Sequence, residues 1–273
     1  MKIKAHAKIN LRLKVVGLNE QKYHLLQMVN AKICLHDTII IKKLKQPKVV
    51  IDMLEIKQED NIVYKVVENM FKTYLLPGGI YIKIKKKIPF GAGLAGGSTD
   101  AASIILAINK IYKLNLSKDQ LQKEALKCGT DIVYCLENDI CLVEGIGEQV
   151  QEFRKEVKQD ILLINPNIVV STKEIYELYD ETKDYSKPLN LNQLQNLSYC
   201  DLLQNDLEKI VFEKYPIIKD LKEEIAKETK CPILMSGSGS TLFIMGKRKE
   251  LKRWGKIYRK KYPKYQIHLT SIK

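Results

Sequence analysis

The chain has 273 residues, 45% of them hydrophobic and 29% charged, which suffices for one large or two ordinary domains with cores of their own. Lys and Arg number 46 against 32 Asp and Glu, a net charge of +14, but the lysines are scattered, so a heavily solvated surface accounts for the excess better than a nucleic-acid site. No run approaches the roughly 18 apolar residues of a membrane span, and the charged, alternating Met1–Lys8 segment has no apolar stretch of a secretory leader.

Ile3, Ala5, Ala7, Ile9, Leu11, Leu13 and Val15 alternate with Lys, His, Asn and Arg, which predicts a long first strand to Gly17. Short strands are expected at Thr38–Lys42 and Val49–Met53. After Asp60-Asn61, the spacing of Ile62, Val63, Val66, Val67, Met70 and Phe71 predicts a helix that Pro77-Gly78-Gly79 ends. Ile80, Ile82 and Ile84 resume a period of two. The segment Gly91–Gly97 then leads into Ser98-Thr99-Asp100, an N-cap composition that should open a helix to about Tyr112. A further helix is expected over Lys118–Lys127. The polar stretch Glu152–Lys158 marks a boundary between domains 1–155 and 156–273. Beyond it come the apolar run Ile161–Ile164, stopped by Asn165-Pro166, and helices over Lys173–Tyr179, Leu202–Phe212 and Ile217–Lys227. Strands Pro232–Met235 and Thr241–Met245, a helix Lys249–Lys261 and a strand Tyr265–Thr270 complete the chain. Antiparallel-looking strands with separate helices argue for an α+β fold in two layers.

The densest chemical signal is the run Pro89, Phe90, Gly91, Ala92, Gly93, Leu94, Ala95, Gly96, Gly97, Ser98, Thr99. A plain strand-to-helix turn needs one or two glycines, whereas this run places four in seven positions. Glycines let backbone N–H groups approach an anion, and a helix N-terminus adds unpaired donors and partial positive charge. Ser98 and Thr99 would offer hydroxyls to phosphate, and Lys85, Lys86 and Lys87 add charge. No GK[ST] closes the loop as in a Walker A motif, and the strand before it is not the buried parallel strand of a dinucleotide fold. A second loop, Ser236-Gly237-Ser238-Gly239-Ser240-Thr241, reads equally as a hairpin turn or as the cap of an active site. Taken alone, Lys8 and Asn10 are the solvated face of the first strand, Asp131 is a helix N-cap, and Tyr23-His24 is a loop dipeptide. The six cysteines form no CxxC pair and the four histidines are dispersed, so reduced thiols in a cytoplasmic protein are expected rather than a metal or disulfide scaffold.

Ala7-Lys8-Ile9-Asn10-Leu11, the Gly91–Ala102 loop, Gly129-Thr130-Asp131 and Met235-Ser236-Gly237-Ser238-Gly239 stand in the order and spacing of the GHMP-type small-molecule kinases, and the resemblance runs through Asp60-Asn61, Ser171–Tyr176 and Asn205-Asp206-Leu207. With Tyr23-His24 following it, the first motif is similar to those members that phosphorylate 4-diphosphocytidyl-2-C-methyl-D-erythritol in the non-mevalonate isoprenoid route. Some positions depart from the pattern. Ala95 and Lys22 replace usual glycines, His6 and Val133 replace usual prolines, and Glu137-Asn138-Asp139 occupies a usually Gly-rich turn. Ala95 is expected to be tolerated through a negative φ, or because its Cβ faces away from the phosphates.

The resemblance implies a two-domain fold of two-layer sandwiches with mostly antiparallel sheets, and transfer of the ATP γ-phosphoryl group to the 2-hydroxyl of that substrate. It implies Asp131 as the base and Lys8 as the cation that keeps it ionised. The segment Pro89–Thr99 would cradle the triphosphate, with Mg²⁺ bridging its oxygens and Ser98 as one candidate protein ligand. Asn61 and Lys86 would lie near adenosine, Asn10 would orient the substrate, and Tyr23, His24 and Tyr176 would hold the cytosine. The implied partner is a small molecule rather than nucleic acid or membrane, and the implied assembly is a monomer or weak dimer. Kinases of homoserine or mevalonate share the phosphate loop, and a basic RNA-binding protein of similar architecture would account for the charge alone.

Overall fold

The computed structural model describes residues 1–53, 61–154, 157–182 and 184–273. Asp60 and the expected domain boundary at residues 155 and 156 lie outside them. The chain forms two compact units, each assembled from separated segments: Met1–Ala7, His36–Ile88 and Ala95–Asn138 in one, Lys8–Leu35, Pro89–Leu94 and Asp139–Lys273 in the other. Strands β1 (Lys2–Leu18) and β2 (His24–Leu44) supply residues to both.

Strand β1 runs where its alternation places it, but its polar positions are not a solvated face. Lys8, Asn10 and Arg12 are buried together with Ile9, Leu11 and Leu13. Strand β2 has 21 residues, against the five expected at Thr38–Lys42. Its stretch Gln27–Ile33 is buried without interruption, polar Gln27, Asn30 and Lys32 included, so no alternation survives to reveal it.

In the first unit, Thr38–Leu44 of β2 pairs antiparallel with β4 (Gly79–Lys85), which pairs parallel with β3 (Val49–Asp52). Helices α1 (Ile62–Thr73), α2 (Gly96–Tyr112), α3 (Lys118–Leu126) and α4 (Thr130–Cys135) pack on one another, and α1 on β3. The buried face of α1 is Val63, Val66, Val67 and Met70, the spacing that predicts it. Helix α2 begins two residues before the expected Ser98 cap. Its N-cap is Ala95, in the left-handed region (φ 54°, ψ 36°) and without a side-chain cap bond. The turn of the Gly-rich loop starts this helix, not a capping hydroxyl. The expectation of a negative φ at Ala95 therefore fails.

In the second unit, Met28–Asn30 of β2 pairs with β5 (Cys141–Glu144), which forms an unexpected hairpin with β6 (Gln149–Glu152). A four-stranded antiparallel sheet has the order β11 (Gln266–Ser271), β7 (Asp160–Asn165), β10 (Leu242–Gly246), β9 (Ile233–Met235), with α10 (Arg248–Lys261) packed on it. Helices α5 (Thr172–Thr182) and α6 (Leu191–Asn196) precede a break in the helix expected over Leu202–Phe212. There α7 (Tyr199–Leu202) ends, β8 (Gln204–Asn205) pairs parallel with Arg12 and Leu13 of β1, and α8 (Leu207–Lys214) restarts. Asn205 causes the break. Its Oδ1 accepts from Leu207 N at 3.0 Å, while its Nδ2 donates to Met235 O at 2.9 Å and Gly237 O at 2.8 Å. Helix α9 (Pro216–Thr229) follows and packs on α8 and β9. The result is an α+β chain; of the pairings given above, β3–β4 and β1–β8 are parallel and the others antiparallel.

Candidate active site

Two glycine loops meet beside β1. Lys8 N donates to Leu94 O at 3.1 Å, tying the strand to the first loop. Ser236 Oγ donates to Gly93 O at 2.9 Å and accepts from Asn10 N at 3.4 Å, tying both to the second. Backbone comes so close to backbone here that only glycine fits. At Gly93 (φ +71°) a Cβ would lie 1.9 Å from Ser236 O, and at Gly237 (φ +60°) it would lie 3.2 Å from Gly93 O. The hairpin reading of the loop Ser236–Thr241 holds, since it joins antiparallel β9 to β10, and the loop packs on the first glycine loop.

Lys8 and Asn10 are neighbours on one face of β1. Lys8 Nζ donates to Asn10 Oδ1 at 2.5 Å, and Asn10 Nδ2 donates to Asn30 Oδ1 at 2.7 Å.

The second half of the first loop opens α2. The leading amides of a helix have no intrahelical acceptor, and with no side chain capping them they remain available to an anion. Thr99 is committed elsewhere, its hydroxyl donating to His6 O at 2.7 Å and its amide to Ala95 O at 2.9 Å. The hydroxyl of Ser98 has no protein partner among the described residues. Ala92 and Leu94 are buried and anchor the loop, Pro89 is buried at its entrance, and Gly91 and Gly97 are exposed.

Beneath Gly96 lies a buried ionic group. Lys86 Nζ contacts Asp37 Oδ2 at 2.5 Å and Asp100 Oδ2 at 2.9 Å, and Asp37 Oδ1 accepts from Lys87 N and Ile88 N. A Cβ at Gly96 would lie 3.2 Å from that ammonium. Burial pulls the Lys86 pKa down, but its two carboxylates outweigh it and the net shift is upward. Burial pushes Asp100 up to about 7 against the pull of Lys86, and Asp100 Oδ1 has no hydrogen-bond partner among the described residues. The lysine expected near adenosine is therefore engaged below the loop. Asn61 likewise caps α1, accepting from Val63 N at 2.9 Å.

Elsewhere the second unit gathers a ring cluster. His24 and Tyr176 lie with ring centroids 4.5 Å apart at 31°, and His24 Nε2 contacts Asp180 Oδ1 at 2.6 Å. Tyr23 is 58% exposed, on a turn whose Lys22 has φ 63°. Both departures from a usual glycine, Lys22 and Ala95, thus stand where φ is positive. Asp131 is an exposed residue in the first turn of α4, whose N-cap is Gly129 rather than Asp131 itself. Sequence reasoning missed Asn30, Asp37 and Asp180, and it gave Asp100 and Asn205 only as parts of a helix start and a motif, without their contacts. Of the second loop, only the repeated Gly/Ser pattern gave a signal.

Comparison with known proteins bears on the arrangement. The family described as GHMP kinases N terminal domain matches residues 61–138, and GHMP kinases C terminal matches 186–263. A 4-diphosphocytidyl-2-C-methyl-D-erythritol kinase of Clostridium beijerinckii is 36% identical over 261 residues, covering 90% of each chain. One of Clostridium botulinum is 36% identical over 279 residues, covering 97% of each. Among solved structures, a 4-(cytidine 5'-diphospho)-2C-methyl-D-erythritol kinase superposes with a TM-score of 0.86 at 24% identity over the full length of both chains. Homoserine kinase from Cytophaga hutchinsonii superposes less closely, with a TM-score of 0.68 at 16% identity over 99% of this chain and 95% of the other.

Proposed function

Because the chain belongs to the GHMP kinases, and within them to the 4-diphosphocytidyl-2-C-methyl-D-erythritol kinases, we infer that it transfers the γ-phosphoryl group of ATP to the 2-hydroxyl of that cytidine-linked alcohol in non-mevalonate isoprenoid synthesis. The observation that carries the choice of acceptor is the His24–Tyr176 ring pair. A methylerythritol hydroxyl has little to distinguish it from other polyols, whereas a pyrimidine offers faces to aromatic rings and an edge to an imidazole. Tyr23, on the residue before His24, would cover the base from the exposed side.

In-line phosphoryl transfer asks a protein for position and charge more than for covalent help. The amides of Gly96, Gly97 and Ser98 at the open start of α2, with the backbone of Gly91–Leu94, would hold the phosphates. Asn61 and Lys86 would serve the nucleotide through the helix starts and loop they secure. Asp131 would accept the proton of the attacking hydroxyl. Lys8, held by Asn10, would favour the ionised base and offset charge on the reacting oxygen. Mg²⁺ fits this set as an ion carried by phosphate oxygens with Ser98 Oγ as protein ligand, and when bound it would neutralise charge on the phosphates. We assign nucleotide binding to residues 1–155 and the completing half to 156–273.

The test is direct. The purified chain, given ATP and Mg²⁺ with the cytidine-linked alcohol, homoserine or mevalonate in parallel, should yield a phosphomonoester on the first alone. Transfer to either of the others, with none to the first, refutes the acceptor assignment.

A further inference from the structure

His24 is an ambiguous recognition element. A neutral imidazole carries one donor and one acceptor nitrogen, and which nitrogen is which decides what base edge it can read. The surroundings of His24 remove the ambiguity. Asp180 Oδ1 lies 2.6 Å from Nε2, and a carboxylate accepts but does not donate, so Nε2 carries the proton. In the neutral ring Nδ1 is left with its lone pair, and it has no hydrogen-bond partner among the described residues. Helix α5 brings this about geometrically. Tyr176 and Asp180 are one turn apart on it, so a single helix face delivers a ring to the face of His24 and a carboxylate to its edge.

We propose that Asp180 is a positioning residue that fixes the tautomer of His24 and so makes the base subsite select a 4-amino pyrimidine over a 4-oxo one. The proposal rests on the cytidine-linked acceptor inferred above. An Nδ1 lone pair accepts from the exocyclic amine of cytosine, and it meets the O4 lone pairs of uracil with repulsion. A site that hydrogen-bonds one edge rejects an analogue that leaves its polar group unpaired far more strongly than an apolar pocket rejects a misfit. Asp180 has His24 as its only polar partner among the described residues, and its side chain is 42% exposed. Its replacement therefore touches recognition without touching the core.

The experiment uses the full chain and Asp180→Asn, whose side chain presents either a donor or an acceptor to Nε2 and no longer dictates the tautomer. Nitrogen-detected NMR of the histidine rings, taken without substrate, should show the Nε2–H form of His24 in the unsubstituted protein and a mixture in the variant. The ratio of kcat/KM for the cytidine acceptor to that for its uridine counterpart should fall about tenfold or more in Asp180→Asn, through KM for the cytidine acceptor, with KM for ATP within about twofold of normal. In a His24→Ala background the same substitution should change nothing further. An Nδ1–H form of His24 in the unsubstituted protein, an unaltered cytidine-to-uridine ratio in Asp180→Asn, or an equal loss in the His24→Ala background overturns the proposal. A protein with Nε2–H His24 that phosphorylates another alcohol and ignores the cytidine compound instead overturns the acceptor assignment, and base selection with it. The two failures are distinguishable because the tautomer is read without substrate.

Discussion

In the proposed function, the glycine cradle and the ring cluster solve recognition with opposite materials. Around Gly93 and Ser236 the working groups are main-chain amides and carbonyls, packed so closely that a single methyl group would occupy the position of an oxygen. Around His24 the working groups are side chains from distant segments, Tyr176 and Asp180 meeting a residue more than 150 positions earlier in the chain. Backbone suits a phosphate, which every nucleoside triphosphate presents alike. Side chains suit a base, whose identity must be distinguished from others. The cradle should therefore answer substitution steeply and in its stability, and the ring cluster gradually and in its selectivity.

The largest expected effect separates chemistry from either kind of binding. Asp131→Asn and Lys8→Ala should each lower kcat by roughly 10²–10⁴-fold, the range for a positioned acid–base group, while nucleotide affinity holds. Lys8→Ala in particular keeps the backbone amide that bonds Leu94 O. Loss of ATP binding in calorimetry, in place of lost turnover, would move Lys8 into the cradle and blur the distinction. Next comes Gly93→Ala. A left-handed alanine and an unavoidable contact with Ser236 O should together cost roughly 2–4 kcal/mol in denaturant unfolding, with ATP affinity falling alongside. A variant of normal stability would show that the two loops can part.

Tyr176→Ala should raise KM for the cytidine acceptor about tenfold, within the roughly 1–3 kcal/mol of a base-stacking ring, and leave KM for ATP alone. A lower melting temperature with unchanged KM would make Tyr176 a packing residue of α5. The smallest effect has the opposite sign. Ala95 sits at φ 54°, so Ala95→Gly relieves a left-handed residue at the cost of a more flexible unfolded chain, a net gain of roughly 0.5–1 kcal/mol. An unchanged or lower unfolding midpoint would mean that the surrounding loop bears no strain at Ala95.

The same divide between local and long-range signals governs what is legible along the chain. Alternation marks β1, the spacing of Val63, Val66, Val67 and Met70 marks α1, and the glycines mark the cradle, because each of those signals is local: a period, a breaker, a φ that only glycine takes freely. Strand β2 leaves no such mark because its centre is buried on both faces, and a strand without a wet side has no alternation to show. The helix expected over Leu202–Phe212 is local propensity overruled by Asn205, whose side chain is claimed by two carbonyls around the second loop. Lys8 and Asn10 resemble a solvated face for the same kind of reason, since nothing within β1 says that its polar side is covered. From its own residues the chain determined its α+β class, its glycine loop and, with the ordered motifs, its kinship with the GHMP kinases. Only the tertiary structure decided that Asp37 and Asp100 hold Lys86 beneath the loop and that Asp180 meets His24. Pairings between residues tens to hundreds of positions apart are fixed by which surfaces pack together, and no period or propensity along the chain encodes them.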